Sequence, residues 1–450
     1  MLEDGTNGES RLQISNLIGK YNLTKYKSNS NMSLANSLFI RDTFNDMIKQ
    51  KYINTLRTKY NAEIVVDSFA DANNVNSWVS NKTLNLINNL LNEIEEDQKF
   101  LLINALGIDM EWKDKFLTPG GEGCSYEHER FSWRSAEQVS HHEFGEEEQI
   151  VSGMEIAASI NNYDIITELG EGNIRKTVGD EFRKWAKNLT ENDWEYNEIF
   201  DGDLSDEKIE EKLAQYLDGG KYYGTYDSKG YISEINSNYK RVDYSTDFSL
   251  YVDDSVKVFA KDLKEYDGTT LQYIGIMPTN QDLDSYVQNV DQITINNIIS
   301  NLKELKAENF KEGVVTKITG YIPKFKFEYE LKLKEDLEKL GIKDVFEQGK
   351  ANLVEICEDE DIFINDAVHK ANIEFTQDGI KAAAATMMGG AGAGSSFDYI
   401  YDIPVEEIDL TFDKPYMFLI RDKETGEIWF MGTVYEPLSW EEEPENNNVY

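Results

Sequence analysis

The segment that most constrains the fold is Gln377–Ser396, QDGIKAAAATMMGGAGAGSS, which consists largely of alanine and glycine. It separates two apolar runs of strand character, Val368–Phe375 and Leu410–Asp422. Alanine favours helix over strand, and a glycine run leaves the backbone conformationally free. On composition alone the segment is a flexible linker. The second interpretation is a loop that leaves one state and enters another, because small side chains would let it slide between the strands of a sheet.

The residues around this segment resemble a known family. GIKAAAAT follows HKANIEFTQD and precedes FDKPYMFLIRDKETGEIWFMGTVYEP, and together these stretches resemble the hinge and carboxyl-terminal signature of the serpins. In that family the loop is bait for a protease, and after cleavage its hinge side inserts as a new strand in the main sheet, a known case of strand addition. The resemblance implies an α+β fold with a large central mixed β-sheet, flanking helices and an exposed reactive-centre loop.

The resemblance also implies a division of the chain. It extends over 1–133 and 245–438, which predicts a serpin core without the family's first helices and strand. Within this core, 377–409 is the expected reactive-centre loop, and 439–450 forms an acidic tail. Residues 134–244 have no counterpart in the family, so we expect an inserted subdomain there.

The inserted segment carries its own patterns. LSDEKIEEKLAQYLDGG predicts an amphipathic helix with Ser205 as N-cap and Gly219 as its end. The apolar stripe of this helix consists of Ile209, Leu213, Tyr216 and Leu217. VGDEFRKWAKNLT predicts another helix, and GGKYYGTYDSKGYI predicts a hairpin. The sequence leaves two interpretations open for this subdomain: a docking surface, or an addition without a role in function.

Two apolar runs predict strands of the core. Met32–Asp42 has the pattern of a buried strand, and Lys99–Phe116 is a near-continuous apolar run that suits a strand covered on both faces. Asp42 is also a candidate N-cap for a single helix over TFNDMIKQKYINTLRTKYN. The second run resembles the third strand of the main serpin sheet.

Two residues of that run have both a structural and a functional interpretation. Asn104 is equally well explained as a hydrogen-bonded core amide, and Trp112 as plain core packing. The resemblance implies instead that Asn104 pairs with His369 where the sheet parts. It implies that Trp112 lies under the point where the loop enters.

The alanine run matches the inhibitory hinge pattern of the family. The matching positions are Gly379, Ala382, Ala383, Ala384, Ala385 and Thr386. Small side chains favour fast insertion, which must precede hydrolysis of the acyl-enzyme. Three positions depart from the pattern, because Gln377 replaces a Glu, Ile380 replaces a small Thr or Ser, and Lys381 replaces a Glu. The branched Ile380 would slow the first step of insertion.

Family spacing gives two positions for the attacked bond. Counting forward from Gly379 places the attacked carbonyl at Ala393, before Gly394, whereas counting back from Phe412 places it near Pro404. The loop is therefore longer than is usual in the family. We favour Ala393–Gly394, because extra residues after the cut do not change how far the protease is dragged.

The residue before the cut suggests a class of protease. A small residue such as Ala393 suits the narrow pockets of elastase-like or subtilisin-like enzymes. Tyr399 or Tyr401 would instead suit a chymotrypsin-like pocket. The expected partner is thus a serine protease, bound by a monomer.

Charge and cysteine content exclude some classes of partner. With 45 basic and 84 acidic residues, the net charge of −39 disfavours nucleic acids and anionic membrane surfaces. No stretch is apolar for long enough to span a bilayer. Cys124 and Cys357 form one disulfide or remain two buried thiols, so they do not fix the compartment. The start, MLEDGTNGES, has no signal-peptide pattern, although the resemblance favours an extracellular protein.

Catalysis is not expected. SHHEFGEEE has the composition of a metal-ligand cluster, but the four histidines, His128, His141, His142 and His369, lack zinc-site spacing. Neither a nucleophile elbow nor a phosphate-binding loop occurs, so we expect no metal and no cofactor. The sequence predicts a suicide-substrate inhibitor of serine proteases. The alternatives are a non-inhibitory serpin-like binding protein, cleaved as an ordinary substrate, and a degenerate fragment.

Overall fold

The computed structural model of the protein describes the following residues: 31–116, 142–145, 150–162, 170–218, 222–226, 230–235, 241–266, 268–339, 341–357, 362–364, 368–376, 379–380, 397 and 404–439. The strands are β1 Met32–Arg41, β2 Ala62–Asp67, β3 Phe100–Ile108, β4 Met110–Glu111, β5 His142–Glu143, β6 Ile150–Val151, β7 Gly153–Asn161, β8 Tyr222–Tyr226, β9 Gly230–Ile235, β10 Arg241–Tyr244, β11 Ser249–Val252, β12 Val256–Asp262, β13 Leu271–Pro278, β14 Lys303–Glu304, β15 Val315–Pro323, β16 Phe325–Lys332, β17 Val368–Phe375, β18 Gly379–Ile380, β19 Val405–Asp409, β20 Tyr416–Asp422 and β21 Ile428–Val434. The α-helices are α1 Gln50–Tyr60, α2 Asn73–Lys82, α3 Glu171–Asn188, α4 Trp194–Glu198, α5 Asp206–Asp218, α6 Leu283–Asn289, α7 Gln292–Ser300 and α8 Leu333–Lys339. Short 3-10 helices cover Asp42–Met47, Ala307–Asn309 and Asp344–Phe346.

The main sheet consists of two ladders that meet at one run of chain. One ladder has the order β2-β1-β3 and the other has the order β16-β17-β18-β4. Only Asp109 separates β3 from β4, so the two ladders join there. Because β1 pairs parallel with β2 and antiparallel with β3, the sheet is mixed. The expected α+β fold with a large mixed sheet is confirmed.

Strand β1 is apolar on both faces because both faces are covered. Leu38 and Ile40 belong to the core cluster that contains residues of α1, whereas Phe39 packs with residues of α2 on the opposite face. Helix α2 approaches the sheet closely at Gly107 of β3. A Cβ atom there would lie 2.8 Å from the backbone of Thr83, so a larger residue would push the end of α2 away.

The helix predicted after Asp42 is interrupted in the structure. A 3-10 helix covers Asp42–Met47, and α1 begins only at Gln50. Between them Ile48 forms a β-bridge with Cys357, and the Lys49 N–H donates to the Ile356 carbonyl at 2.8 Å. The prediction of one continuous helix is wrong, because a distant segment takes the hydrogen bonds that a helix would have used.

A six-stranded sheet, β14-β11-β12-β13-β20-β21, lies beside the main sheet. Every residue of its central strand β13 is buried. One face of this sheet contributes to the largest core cluster, which also receives residues of β4, β7 and β15, and the other face is covered by α6 and α7. No helix of the described ranges combines the length and apolar character that a membrane crossing requires.

The predicted insertion, 134–244, is not separate from the core. Strands β7 and β10 occupy the four-stranded sheet β10-β7-β15-β19, and β7 pairs with β15 over nine residues from each strand. Met154, Ile156, Ala158 and Ile160 point into the largest core cluster. A period-two burial pattern of this kind is that of a sheet strand with one face on the core. The boundary drawn from the resemblance thus cuts through a core sheet.

The remainder of the insertion is mainly helical. Helix α5 follows Ser205, whose carbonyl accepts from the Ile209 N–H at 3.0 Å, and the predicted stripe of α5 faces α3. Helix α3 starts seven residues before the predicted VGDEFRKWAKNLT, at Glu171. The predicted hairpin is present as β8 and β9. The helices form a small core of their own, and Val315 of β15 and Val405 of β19 belong to it.

Candidate functional site

The candidate site is the place where the loop begins to enter the main sheet. The two residues of β18 lie between β17 and β4, with Ile380 paired to Phe375 on one side and to Met110 on the other. Gly379 pairs with Glu111. Among the described residues, β3 and β17 form no ladder with each other or with a strand between them. Within the part of the chain that the structure describes, the main sheet is therefore open between β3 and β17, below a short entrance that β18 occupies.

Trp112 fixes the chain immediately before this entrance. Its side chain is fully buried, and its indole Nε1 donates to the carbonyl of Thr376 at 2.8 Å. The ring packs edge-on against Phe375 at 5.4 Å and against Tyr273 at 6.1 Å between centroids. The tryptophan thus holds both Phe375, the last residue of β17, and Thr376, the residue before the predicted hinge.

Aromatic rings continue beneath the entrance. Phe375 stacks on Phe325 with an interplanar angle of 4° and a centroid distance of 5.2 Å, and Tyr273 lies 4.6 Å from Phe375. Phe325 is the first residue of β16, opposite Phe375 in the ladder. Large rings in contact bury much apolar area and hold one another in place. Mutually packed aromatic rings therefore lie beneath the entrance.

A buried lysine lies against the same aromatic group. Lys261 of β12 is 1% exposed, and its Nζ is 4.8 Å from the centroid of Phe116 and 5.9 Å from that of Trp112. Its ammonium donates to the hydroxyl of Thr246 and to the carbonyl of Asp247. Burial lowers the pKa of Lys261 to about 7, against the opposing influence of Asp114, Asp247 and Asp262. Desolvation disfavours the charged form of an amine, which explains the direction.

This pKa predicts a dependence of stability on pH. Between about pH 7 and the ordinary lysine pKa of 10.5 the unfolded chain holds a proton on Lys261 that the folded chain lacks. The contribution of Lys261 to the free energy of unfolding should therefore rise with pH across this window, by up to about 1.4 kcal/mol per pH unit. Urea unfolding from pH 6.5 to 9.5 should give a smaller rise in Lys261→Met than in the wild type.

An exposed lysine supplies the control for that measurement. Lys264 has a 47% exposed side chain, paired with Glu111. Lys264→Met should keep the wild-type rise, because this substitution is on the surface and leaves the buried Lys261 in place. Equal rises in the wild type and in Lys261→Met would contradict the assignment to Lys261.

The two other residues predicted at the opening of the sheet are not seen together. The Asn104 Nδ2 donates to the Asn36 Oδ1 of β1 at 2.9 Å, and Asn104 is exposed. His369 lies opposite Leu331 in the β16–β17 ladder, and its side chain is outside the described part of the chain. The pairing of Asn104 with His369 stays a prediction.

Most of the predicted loop residues lie outside the described ranges. Gly379 and Ile380 are described as β18. The others are Gln377, Lys381, Ala382, Ala383, Ala384, Ala385, Thr386, Ala393, Gly394, Tyr399 and Tyr401, which lie outside the described residues. Across the described ranges, the acidic, histidine and cysteine side chains form no group of three that could hold a metal ion.

One loop residue that sequence reasoning missed packs against the insertion. Phe397 is 9% exposed and belongs to the core cluster formed by α3 and α5. Its ring is 5.0 Å from Phe182, 5.3 Å from Trp185 and 5.4 Å from Tyr216, between centroids. The signal was an aromatic residue just after a glycine-rich stretch, GGAGAGSSF, but nothing local identifies its partners more than 180 residues away.

A family model described as Serpin (serine protease inhibitor) matches 4–138 and 243–437. Serpin B10 of Rattus norvegicus is 36% identical over 117 residues, which are 26% of this chain and 27% of the relative. Leukocyte elastase inhibitor A of Mus musculus is 30% identical over 174 residues, covering 38% of this chain and 42% of the relative. The matched stretches thus span less than half of these relatives.

Solved structures show the same fold. The native state of the thermophilic serpin tengpin superimposes with a TM-score of 0.55 at 19% identity, covering 92% of this chain and 76% of that one. Thyroxine-binding globulin in complex with thyroxine gives a TM-score of 0.57 at 14% identity, covering 95% of this chain and 82% of that one. At these identities the likeness concerns the fold alone.

Proposed function

Because the chain belongs to the serpin family, we propose that it inhibits serine-type endopeptidases as a suicide substrate. The relatives named as elastase inhibitors support a protease as the partner. The observation that carries the proposal is β18. Two loop residues already lie as a short strand between β17 and β4, and no strand of the described ranges lies between β3 and β17 beyond them.

The register of β18 supports a path for the rest of the loop. Gly379 faces Glu111 and Ile380 faces Met110, so a continued antiparallel register would place Ala382 opposite Ile108 and Thr386 opposite Asn104. The far end of β3, Phe100, would then face Gly390. Ten residues after Ile380 would fill the gap along β3. All side chains up to Thr386 in this stretch, apart from Lys381, are small.

In the proposed mechanism the protease carries out the chemical steps, and the inhibitor contributes the insertion of its cut loop into the sheet. The protease serine attacks the carbonyl of Ala393, the peptide bond to Gly394 breaks, and the Gly394 amine leaves with its proton. The Ala393 acyl group is then an ester of the serine. Insertion of about a dozen residues at about 3.3 Å each would carry the acyl-enzyme on the order of 40 Å before water can hydrolyse it.

The target is proposed from the residue at the cut. A methyl side chain at Ala393 enters a narrow slot, which favours an elastase-like or subtilisin-like protease. Tyr399 and Tyr401 remain the alternatives for a chymotrypsin-like enzyme. We propose that the inhibitor acts as a monomer.

The test is incubation with elastase, subtilisin and chymotrypsin, followed by a denaturing gel and mass spectrometry of the released carboxyl-terminal peptide. We expect a denaturation-resistant band at the summed mass less that of the peptide starting at Gly394. Ala393→Asp should abolish the band with elastase, because a carboxylate does not enter an apolar slot. Tyr399→Ala should retain it. Clean cleavage without the band for all three proteases would contradict the proposal.

A non-inhibitory binding protein is the second candidate. Ile380 favours it, because a branched residue stands where the inhibitory pattern has a small one, directly after Gly379 in β18. A structural neighbour named for thyroxine binding supports the possibility of a serpin fold used for binding. The same gel separates the candidates, since this one predicts cleavage without a covalent complex.

A further inference from the structure

The helical part of the insertion contacts the loop at one described residue. Phe397 lies among Phe182 and Trp185 of α3 and Tyr216 of α5, with three ring centroids within 5.4 Å of its own. Phe182 and Phe397 meet edge to face at 76°. Phe182, Trp185 and Tyr216 thus form an aromatic clamp around Phe397. Phe397 is nearly as buried as a core phenylalanine.

Ion pairs connect the two helices, α3 and α5, that carry the aromatic clamp. The guanidinium Nη2 of Arg183 on α3 donates to the Glu210 Oε2 of α5 at 2.9 Å, and Lys187 pairs with Asp206 at 2.9 Å. Because Val315 and Val405 share the small core of these helices, the clamp is also attached to the first residues of β15 and β19. A buried ring in such a site is held firmly, since its removal would leave a cavity.

We propose that the aromatic clamp of the insertion holds the carboxyl-terminal end of the bait loop at Phe397. It thereby prevents full insertion of the uncut loop but allows insertion of the cut loop. This inference rests on the proposed function. The residues of the aromatic clamp are positioning residues, because they act on the loop and not on the protease.

The number of residues between Ile380 and Phe397 limits how far the uncut loop can insert. Sixteen residues, 381–396, lie between Ile380 in the sheet and Phe397 in the clamp. If the uncut loop ran into the gap beyond Ile380 and returned outside it to a clamp at the level of the entrance, about half of these residues, or about eight, could enter. The register of β18 requires ten residues, 381–390, to reach the end of β3. With Phe397 held, the uncut loop is therefore too short to fill the gap.

If Phe397 left the aromatic clamp, the uncut loop would be long enough to fill the gap. The next described anchor is Pro404, whose carbonyl accepts from the Val315 N–H at 2.9 Å. The twenty-three residues 381–403 would then be free, and about eleven of them could enter, which is enough for the whole of β3. A cut at Ala393–Gly394 frees thirteen residues, 381–393, without disturbing the clamp.

The clamp also limits where a productive cut can lie. A cut before Gly390 leaves too short a strand, and a cut after Phe397 leaves the inserting strand tied to the insertion. The window 390–396 contains Ala393 and excludes Tyr399 and Tyr401. Only three residues, 394–396, remain between the favoured cut and the clamp, so the protease can bind few free residues beyond its own cleavage site.

The experiment compares Phe397→Ala, Phe397→Leu and Trp185→Ala with Trp194→Ala. Trp194 is a 52% exposed tryptophan of the same insertion, outside the aromatic clamp, so its truncation is the matched control. Hydrogen–deuterium exchange of uncut protein should be faster by roughly tenfold or more across 397–404 in Phe397→Ala and Trp185→Ala, because a buried ring or its partner is lost. Phe397→Leu should be intermediate, and Trp194→Ala should match the wild type.

A second readout needs no covalent complex. Uncut protein is warmed below its unfolding temperature, and the fraction whose loop has become resistant to added subtilisin is followed with time. Phe397→Ala and Trp185→Ala should convert roughly tenfold or more faster than the wild type, by the same loss of packing. Equal exchange and equal conversion in all variants would overturn the clamp even if the wild type forms covalent complexes. A wild type that forms none, with exchange still raised in Phe397→Ala, would instead overturn the proposed function and leave the clamp standing.

Discussion

Replacing Ile380 with proline is expected to convert the protein from an inhibitor into a substrate. Ile380 is paired on both sides, to Phe375 and to Met110, and it is the second residue of the strand that the loop must extend. Proline has no N–H to donate and is not tolerated in a central strand. One buried partner left without its hydrogen bond costs about 1–3 kcal/mol, which slows insertion by roughly tenfold to a hundredfold.

The readout is the ratio of covalent complex to cleaved inhibitor after reaction with elastase. Insertion competes with hydrolysis of the acyl-enzyme, so slower insertion should shift nearly all product to the cleaved form. The control is Ile380→Thr, which keeps the backbone donor and introduces the small residue of the inhibitory pattern. It should give at least as much complex as the wild type. A proline variant that traps elastase as well as the wild type would show that β18 does not lead the insertion.

Truncating Trp112 to alanine is expected to give the largest loss of stability among the substitutions at the entrance. The ring is fully buried against Phe375 and Tyr273, and its Nε1 donates to the Thr376 carbonyl. Removing a core tryptophan costs about 3–5 kcal/mol, through lost burial and the cavity left behind. Urea unfolding of uncut protein measures this as a lower midpoint with an unchanged slope.

Trp112→Phe separates the packing from the hydrogen bond. It keeps most of the apolar area but removes the hydrogen bond from Nε1 to the Thr376 carbonyl, which should cost about 0.5–1.5 kcal/mol. Trp194→Ala, at an exposed tryptophan, should change the free energy of unfolding by no more than about 0.5 kcal/mol. If Trp112→Ala were as mild as Trp194→Ala, Trp112 could not be the residue that fixes the start of the hinge.

Local pattern was sufficient for several elements. The stripe of Ile209 and Leu213 predicted α5, and the tyrosine-rich hairpin was found as β8 and β9. The near-continuous apolar run 99–116 contains β3 and β4, with Trp112 buried just after them. These features depend on residues that are neighbours along the chain, so a window of a few turns contains the information.

Local pattern was not sufficient where a distant segment decides the structure. The helix predicted after Asp42 stops because Ile48 bridges to Cys357. The predicted insertion supplies β7 to a core sheet because β15, more than 150 residues later, pairs with its whole length. In each case the competing hydrogen bonds come from a part of the chain that no local window includes.

The candidate site divides in the same way. Residue types predicted a small-residue hinge, because small side chains would let a loop slide between the strands of a sheet. The sequence could not place Lys261 beside Trp112, since a lysine in a strand is normally solvated and only the surrounding fold buries it.

The sequence by itself thus determined the family and, through that resemblance, the fold class, because the motifs that carry it are local stretches of residues; it also predicted a bait loop. Only the tertiary structure decided that Gly379 and Ile380 already occupy the sheet and that Phe397 is held by the insertion. Both facts are contacts between segments far apart in the chain. The free energy of such contacts depends on the burial and geometry that the whole fold creates.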